Sequence, residues 1–109
     1  MDRAARKAAA ASWKERKPAA GIYAIRCGAA VWVGRTPDLD KIWNRRRFEL
    51  ERGAATDRAM QSAWAAEGPD AFAFEVLERL PDDLGPIGRD TALKARLAHW
   101  RAALGAAPI

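Results

Sequence analysis

Few side chains in this sequence are able to do chemistry, and their types narrow what that chemistry can be. Tyr23, Cys27 and His99 are the sole tyrosine, cysteine and histidine. A lone cysteine excludes an internal disulfide and a cysteine zinc cluster, and a lone histidine builds no metal site by itself. Tyr23 belongs to Gly21-Ile22-Tyr23, and Trp32 to Val31-Trp32-Val33-Gly34. On adjacent antiparallel strands these two aromatic rings can line one face. Gly34 then lets the backbone turn tightly, or approach a ligand, where a Cβ would obstruct it. A phenol ionises at about pH 10, so Tyr23 needs positive charge beside it to act as a base. The Trp32 indole only donates, which leaves one phenol between the two strands. Arg45, Arg46 and Arg47 are consecutive, and clustered guanidinium groups suit a phosphate backbone, with binding that weakens as salt rises.

The elements that must position these residues read as helix, hairpin, helix, helix, strand, helix. Residues 2–17 are alanine-rich and basic, a predicted helix that stops before Pro18 and docks mainly through Trp13. Residues 1–18 are thus expected as an N-terminal basic helix and 19–109 as one domain. Cys27 to Ala30 is a short hairpin connection. Residues 38–52 form a second predicted helix, closed by Gly53. On its helical wheel Leu39, Ile42, Trp43, Arg46 and Leu50 share one arc, with Arg46 near the middle and Phe48 on the opposite, exposed side. Arg46 therefore faces the sheet, where it must find an anion or carboxylate or reach along its stem to water. Thr56 or Asp57 caps the next helix, which runs to about Glu67 with Met60, Ala63 and Trp64 inward. Phe72, Phe74 and Val76 alternate as a strand buried on one face, and Pro81 to Gly88 is a turn-rich loop. From Arg89 to Leu104 a last helix carries Leu93, Leu97, Trp100 and Leu104 on one stripe. Five tryptophans, one per segment, supply bulk that the many alanines do not.

Charge is uneven along the chain. Residues 1–17 carry six Lys/Arg against two acids, 35–52 six against four, 53–88 two against seven, and 89–109 four against one. The basic helices are expected to form a positive surface opposite an acidic one, with nucleic acid as the partner. No apolar run approaches the roughly 20 residues that span a bilayer, so no membrane partner is expected and a reducing, cytoplasmic setting fits.

The order of motifs resembles the GIY-YIG nuclease family, with the second motif written Trp32-Val33-Gly34. The resemblance continues through Leu39 to Gly53, Met60-Gln61-Ser62-Ala63-Trp64 to Gly68, and Phe72-Ala73-Phe74-Glu75-Val76-Leu77-Glu78, covering about residues 20–104. It implies an α+β fold, a small three-stranded antiparallel sheet flanked by helices, with the N-terminal helix outside the family core. It also implies an endonuclease that hydrolyses DNA or RNA phosphodiesters with Mg or Mn. In that scheme Tyr23 accepts a proton from the attacking water, a helix arginine stabilises the phosphate and a glutamate on the last helix holds the metal.

Two positions depart from the pattern. Ile42 stands at the family's arginine position and Arg46 at its histidine position, while Leu97 replaces the glutamate three residues before Trp100. Arg46 is the candidate replacement in catalysis, with Arg45 and Arg35 as the other options. Trp32, Gly34, Arg35, Arg45 and Arg47 are the candidate nucleic-acid contacts. Asp90, the sole acid on the last helix, is the candidate metal ligand, although it also stands where an N-cap would; Glu75 and Glu78 are fallbacks. The expected function is a nuclease-family protein acting on nucleic-acid phosphodiesters, with cleavage weakened or lost. The alternative is a non-catalytic module that binds nucleic acid, or protein through Phe48.

Overall fold

Strand β1 (Gly21–Cys27) is buried along nearly its whole length, and a strand apolar on both faces must be central. Ile22 and Ala24 join one apolar cluster, while Tyr23, Ile25 and Cys27 join another on the opposite side. Beside it lies β2 (Ala30–Thr36), antiparallel, with Tyr23 opposite Gly34 and Ile25 opposite Trp32. The computed structural model describes residues 18–109. The expected helix at residues 2–17, Trp13 and the boundary at residue 18 lie outside or at the edge of that range.

Helices α1 (Ile42–Glu51) and α2 (Arg58–Glu67) cover the Tyr23 side of the sheet, packing Ile42, Leu50 and Met60 against it. Strand β3 (Phe72–Arg79) follows a short 3-10 turn and pairs antiparallel with the free side of β1. Helix α3 (Pro86–Leu104) covers the Ile22 side through Leu93, Leu97, Trp100 and Leu104. The sheet gains a fourth strand beyond the expected three. This is β4 (Ala107–Pro108), which pairs parallel to β2 and gives the order β3-β1-β2-β4. The Ile109 N–H donates to the Val33 carbonyl at 3.0 Å, fastening the C-terminal segment to the sheet.

Several boundaries differ from those read in the sequence, each for a local reason. α1 begins at Ile42, not 38, because residues 36–40 are held in a turn. The Thr36 hydroxyl accepts the Asp38 N–H at 3.1 Å, and the Asp38 carboxylate accepts the Asp40 N–H at 3.1 Å. α3 begins at Pro86, since proline suits the first helical position, and Gly85 is its N-cap. Asp90 is therefore inside the helix and does not cap it. Asp57 does cap α2, accepting the Met60 N–H at 2.9 Å. Phe72 and Phe74 pack on the Tyr23 side as the alternation requires, but Val76 is 36 % exposed. A bulge against Ile22 and Tyr23 leaves Leu77 without a partner and turns it to the α3 side.

The two motif glycines are required by close contacts. A Cβ on Gly21 would run into the Glu78 carbonyl oxygen and the Leu39 side chain. A Cβ on Gly34 would lie 2.5 Å from Tyr23 Oη and 2.6 Å from Cζ. So Gly34 makes room for the tyrosine ring on the neighbouring strand, not for a ligand. Gly34→Ala should destabilise the domain by about 1–3 kcal/mol, because the ring has to move within a packed core. Denaturant midpoints measure the cost, which should shrink when the same change is made in a Tyr23→Ala background. A cost that stays unchanged there would show that the ring is not the obstacle.

Candidate functional site

Burial of Tyr23 decides what this site can do. Its side chain is 0 % exposed, enclosed by Gly34, the Phe74 ring 5.7 Å away and the apolar face of α1. Trp43 stacks on the other part of that wall, 5.6 Å from Phe74. The buried hydroxyl needs a partner, and α1 supplies it. Arg46 lies one turn beyond Ile42 on the sheet-facing arc, and its Nε–H donates to Tyr23 Oη at 3.1 Å. The Arg46 Nη1 in turn meets Glu49 Oε1 at 2.9 Å, an i,i+3 pair with both side chains mostly covered. Phenol, guanidinium and carboxylate thus form one chain of contacts from the core to the surface of α1.

The electrostatics of the site keep the Tyr23 phenol protonated at neutral pH. Burial pushes the phenol above its ordinary value of 10, outweighing the Arg46 hydrogen bond and charge and the Arg45 charge, while Glu49 adds to the rise. For Arg46 burial alone would lower the value, but the hydrogen bonds and charges of Tyr23 and Glu49 outweigh it and keep the guanidinium charged. At neutral pH the pair is therefore a neutral phenol accepting a bond from a cation. The group able to meet an anion is the guanidinium. Its Nε and Nη1 are engaged, and Nη2 makes no hydrogen bond among the described residues.

The other predicted contact residues do not converge on this pair. Trp32 is 5 % exposed and stacks on Phe72 with ring centroids 6.4 Å apart, so its ring is core and is not offered to a base. Arg45 and Arg47 are exposed on α1 next to Arg46, with Arg47 3.7 Å from Glu51. Arg35 lies on the α3 side of the sheet, 3.7 Å from Asp90, which also pairs with Lys94 at 3.3 Å. The basic residues of α1 and α3 therefore lie on opposite sides of the sheet, and residues 1–17 of the expected positive surface lie outside the described residues.

Among the described residues, no donor set around Tyr23 fits a divalent cation. Ile42 is 6 % exposed in the Tyr23-side cluster, and Leu97 packs into the cluster across the sheet. Among the described residues, no group of three or more His, Cys, Asp or Glu side chains gathers. Asp90 is shared between two cations. Glu75 pairs with Arg26 at 3.2 Å. Glu78 receives Arg96 Nε at 2.8 Å and Trp100 Nε1 at 2.9 Å. Burial would raise the Glu78 carboxyl, but the bonds from Trp100 and Arg96 and the charges of Arg96 and His99 outweigh it and hold it below the ordinary carboxylate range.

One residue and one contact were missed in the sequence. Glu49 was legible as an i,i+3 partner of Arg46, but nothing in the pattern distinguished it from Glu51 beside Arg47. The bond of Trp100 to Glu78 had no sequence signal, since it joins residues 22 apart on different elements. Because Tyr23 is the sole tyrosine, phenolate absorbance reads its ionisation directly. The midpoint should lie above 10 in the native protein, fall to about 10 in denaturant, and rise further on Arg46→Met. The sign follows: a raised folded value means stability fully present below about pH 10 and lost as pH climbs through the folded midpoint. A native midpoint at or below the denatured one would contradict the enclosed phenol.

No protein-family model matches the sequence, and no curated protein matches it. Solved structures do share its architecture. The catalytic domain of the homing endonuclease I-TevI aligns with a TM-score of 0.69 at 25 % identity, over 83 % of this chain and 97 % of that one. The catalytic domain of the intron endonuclease I-TevI in a glutamate-to-alanine mutant aligns with a TM-score of 0.67 at 26 % identity, over 80 % and 84 %. I-TevI is a GIY-YIG nuclease, so the resemblance carried by the motif order extends to three dimensions. This chain has the α+β fold of a GIY-YIG nuclease domain.

Proposed function

We propose that this domain binds DNA or RNA through phosphate contacts centred on Arg46, with cleavage weakened or lost relative to the nucleases whose fold it shares. The observation that carries this reading is the 3.1 Å bond from Arg46 to Tyr23, which aims a guanidinium from the sheet-facing side of α1. Arg46 supplies a fixed cation next to the exposed Arg45 and Arg47, and such donors match phosphate oxygens in geometry and charge. Tyr23 orients Arg46 and excludes water from its inner edge. The buried, protonated phenol and the apolar residues at positions 42 and 97 support slow or absent hydrolysis. A second reading rests on Phe48, which is 54 % exposed with the Arg52 guanidinium 4.2 Å over its ring, a surface fit for a protein partner.

Fluorescence anisotropy with short DNA and RNA duplexes separates the two. Affinity should fall linearly with salt on logarithmic axes, and Arg46→Ala should reduce that slope by about one. Arg45→Glu with Arg47→Glu should weaken binding for all sequences alike, while Phe48→Ala leaves it unchanged. Binding that is undetectable at low salt would favour the protein-partner reading.

Cleavage is checked separately, by incubating supercoiled plasmid with Mg or Mn. The unmodified protein should nick it slowly or not at all. Rapid metal-dependent nicking that disappears in Arg46→Ala would overturn the weakened-cleavage reading and make Arg46 a catalytic residue.

A further inference from the structure

We infer that Glu49 is a built-in competitor for Arg46: its carboxylate holds the guanidinium edge that a phosphate would take, and so sets the affinity of the site for nucleic acid. This rests on the reading of Arg46 as the phosphate contact and names the residue that regulates it. The ion pair is short, 2.9 Å, with the side chains 21 % and 23 % exposed. The neighbouring surface pair of Arg47 and Glu51 is 3.7 Å long with side chains 46 % and 54 % exposed, and Arg26 with Glu75 is open to a similar degree. Enclosed charges are screened less than open ones, so Glu49 is the carboxylate that an incoming anion feels most at Arg46.

Guanidinium edges fit carboxylate and phosphate alike, two parallel N–H groups to two oxygens. With Nε given to Tyr23 and Nη1 to Glu49, a phosphate has two routes. It displaces Glu49 from Nη1, or it uses Nη2 while lying beside an anionic carboxylate. Both routes cost affinity, and both costs fall when Glu49 loses its charge. Glu49 also acts on the phenol: its charge raises Tyr23 while those of Arg46 and Arg45 lower it, so the same substitution has a readout inside the site.

The test is binding of a short DNA duplex, across salt, by the wild-type chain, Glu49→Gln, Arg46→Gln and the double variant. Glutamine keeps the size and an acceptor oxygen but removes the charge. Glu49→Gln should bind about tenfold tighter at low salt. That gain should shrink as salt rises, because it comes from removing a charge beside Arg46. The gain should vanish in the Arg46→Gln background, and the Tyr23 phenolate midpoint of Glu49→Gln should fall below the wild-type value. If Glu49→Gln does not melt cooperatively, Glu49→Asp, whose shorter side chain withdraws the carboxylate from Nη1, should give a smaller gain of the same sign. Unchanged or weaker binding by the folded variant, with wild type binding normally, overturns the competitor role and leaves the phosphate reading in place. Absence of binding by wild type and Glu49→Gln alike overturns the phosphate reading and the competitor role together.

Discussion

The packing of the Tyr23 ring against Gly34 is the constraint from which the site follows. A side chain at position 34 would overlap the ring, with a Cβ 2.5 Å from Oη, so glycine there lets the two strands hold this register without displacing the ring. Once the ring is in place, its hydroxyl is sealed inside the core and must be satisfied from α1. An unpaired buried hydroxyl costs about 1–3 kcal/mol, and the Arg46 bond removes that cost. The arginine is then oriented by the need of the tyrosine.

That dependence inverts the chemistry usually sought from such a pair. A phenol becomes a useful proton acceptor when positive charge dominates its surroundings, and Arg46 and Arg45 do supply such charge. Burial is the larger effect, and Glu49 works in the same direction, so the phenol stays protonated. What remains reactive toward an anion is the guanidinium, held by one neighbour from the core and one from its own helix. A shared fold with an endonuclease catalytic domain therefore fixes the scaffold and not the chemistry of the side chains on it.

The sheet also divides the charged residues. Alternation along β1 and β2 sends Tyr23, Ile25 and Trp32 toward α1 and α2, and Ile22, Ala24 and Val33 toward α3. Arg45, Arg46 and Arg47 go with the first group. Arg35, Asp90 and Lys94 go with the second, where their opposite charges already pair. The α1 arginines and the charges along α3 therefore present different electrostatic surfaces.

The fold was legible because its signals are local. Gly21-Ile22-Tyr23 and Val31-Trp32-Val33-Gly34 declare a hairpin by β propensity and spacing, Asp57 and Gly53 mark helix ends, and Leu93, Leu97, Trp100 and Leu104 repeat at helical period. Those features are set by backbone sterics and by burial of a periodic face, which act within a few residues. The helical wheel likewise turned Arg46 toward the sheet, since a wheel needs only the chain's own geometry. The sequence was silent on depth and on partners. It did not show that Trp32 would be core, that Gly34 serves a tyrosine ring, that Asp90 lies inside a helix whose cap is Gly85, or that two residues after Gly105 would add a fourth strand. Each of these depends on which residue of a distant element arrives within a few ångströms, and burial, hydrogen-bond pairing and pKa are properties of that meeting. So the residue types by themselves determined the scaffold and the cation that could face a phosphate. Tertiary packing alone decided that the phenol behind it is sealed, because desolvation depends on the whole surrounding shell and not on the neighbours in the chain.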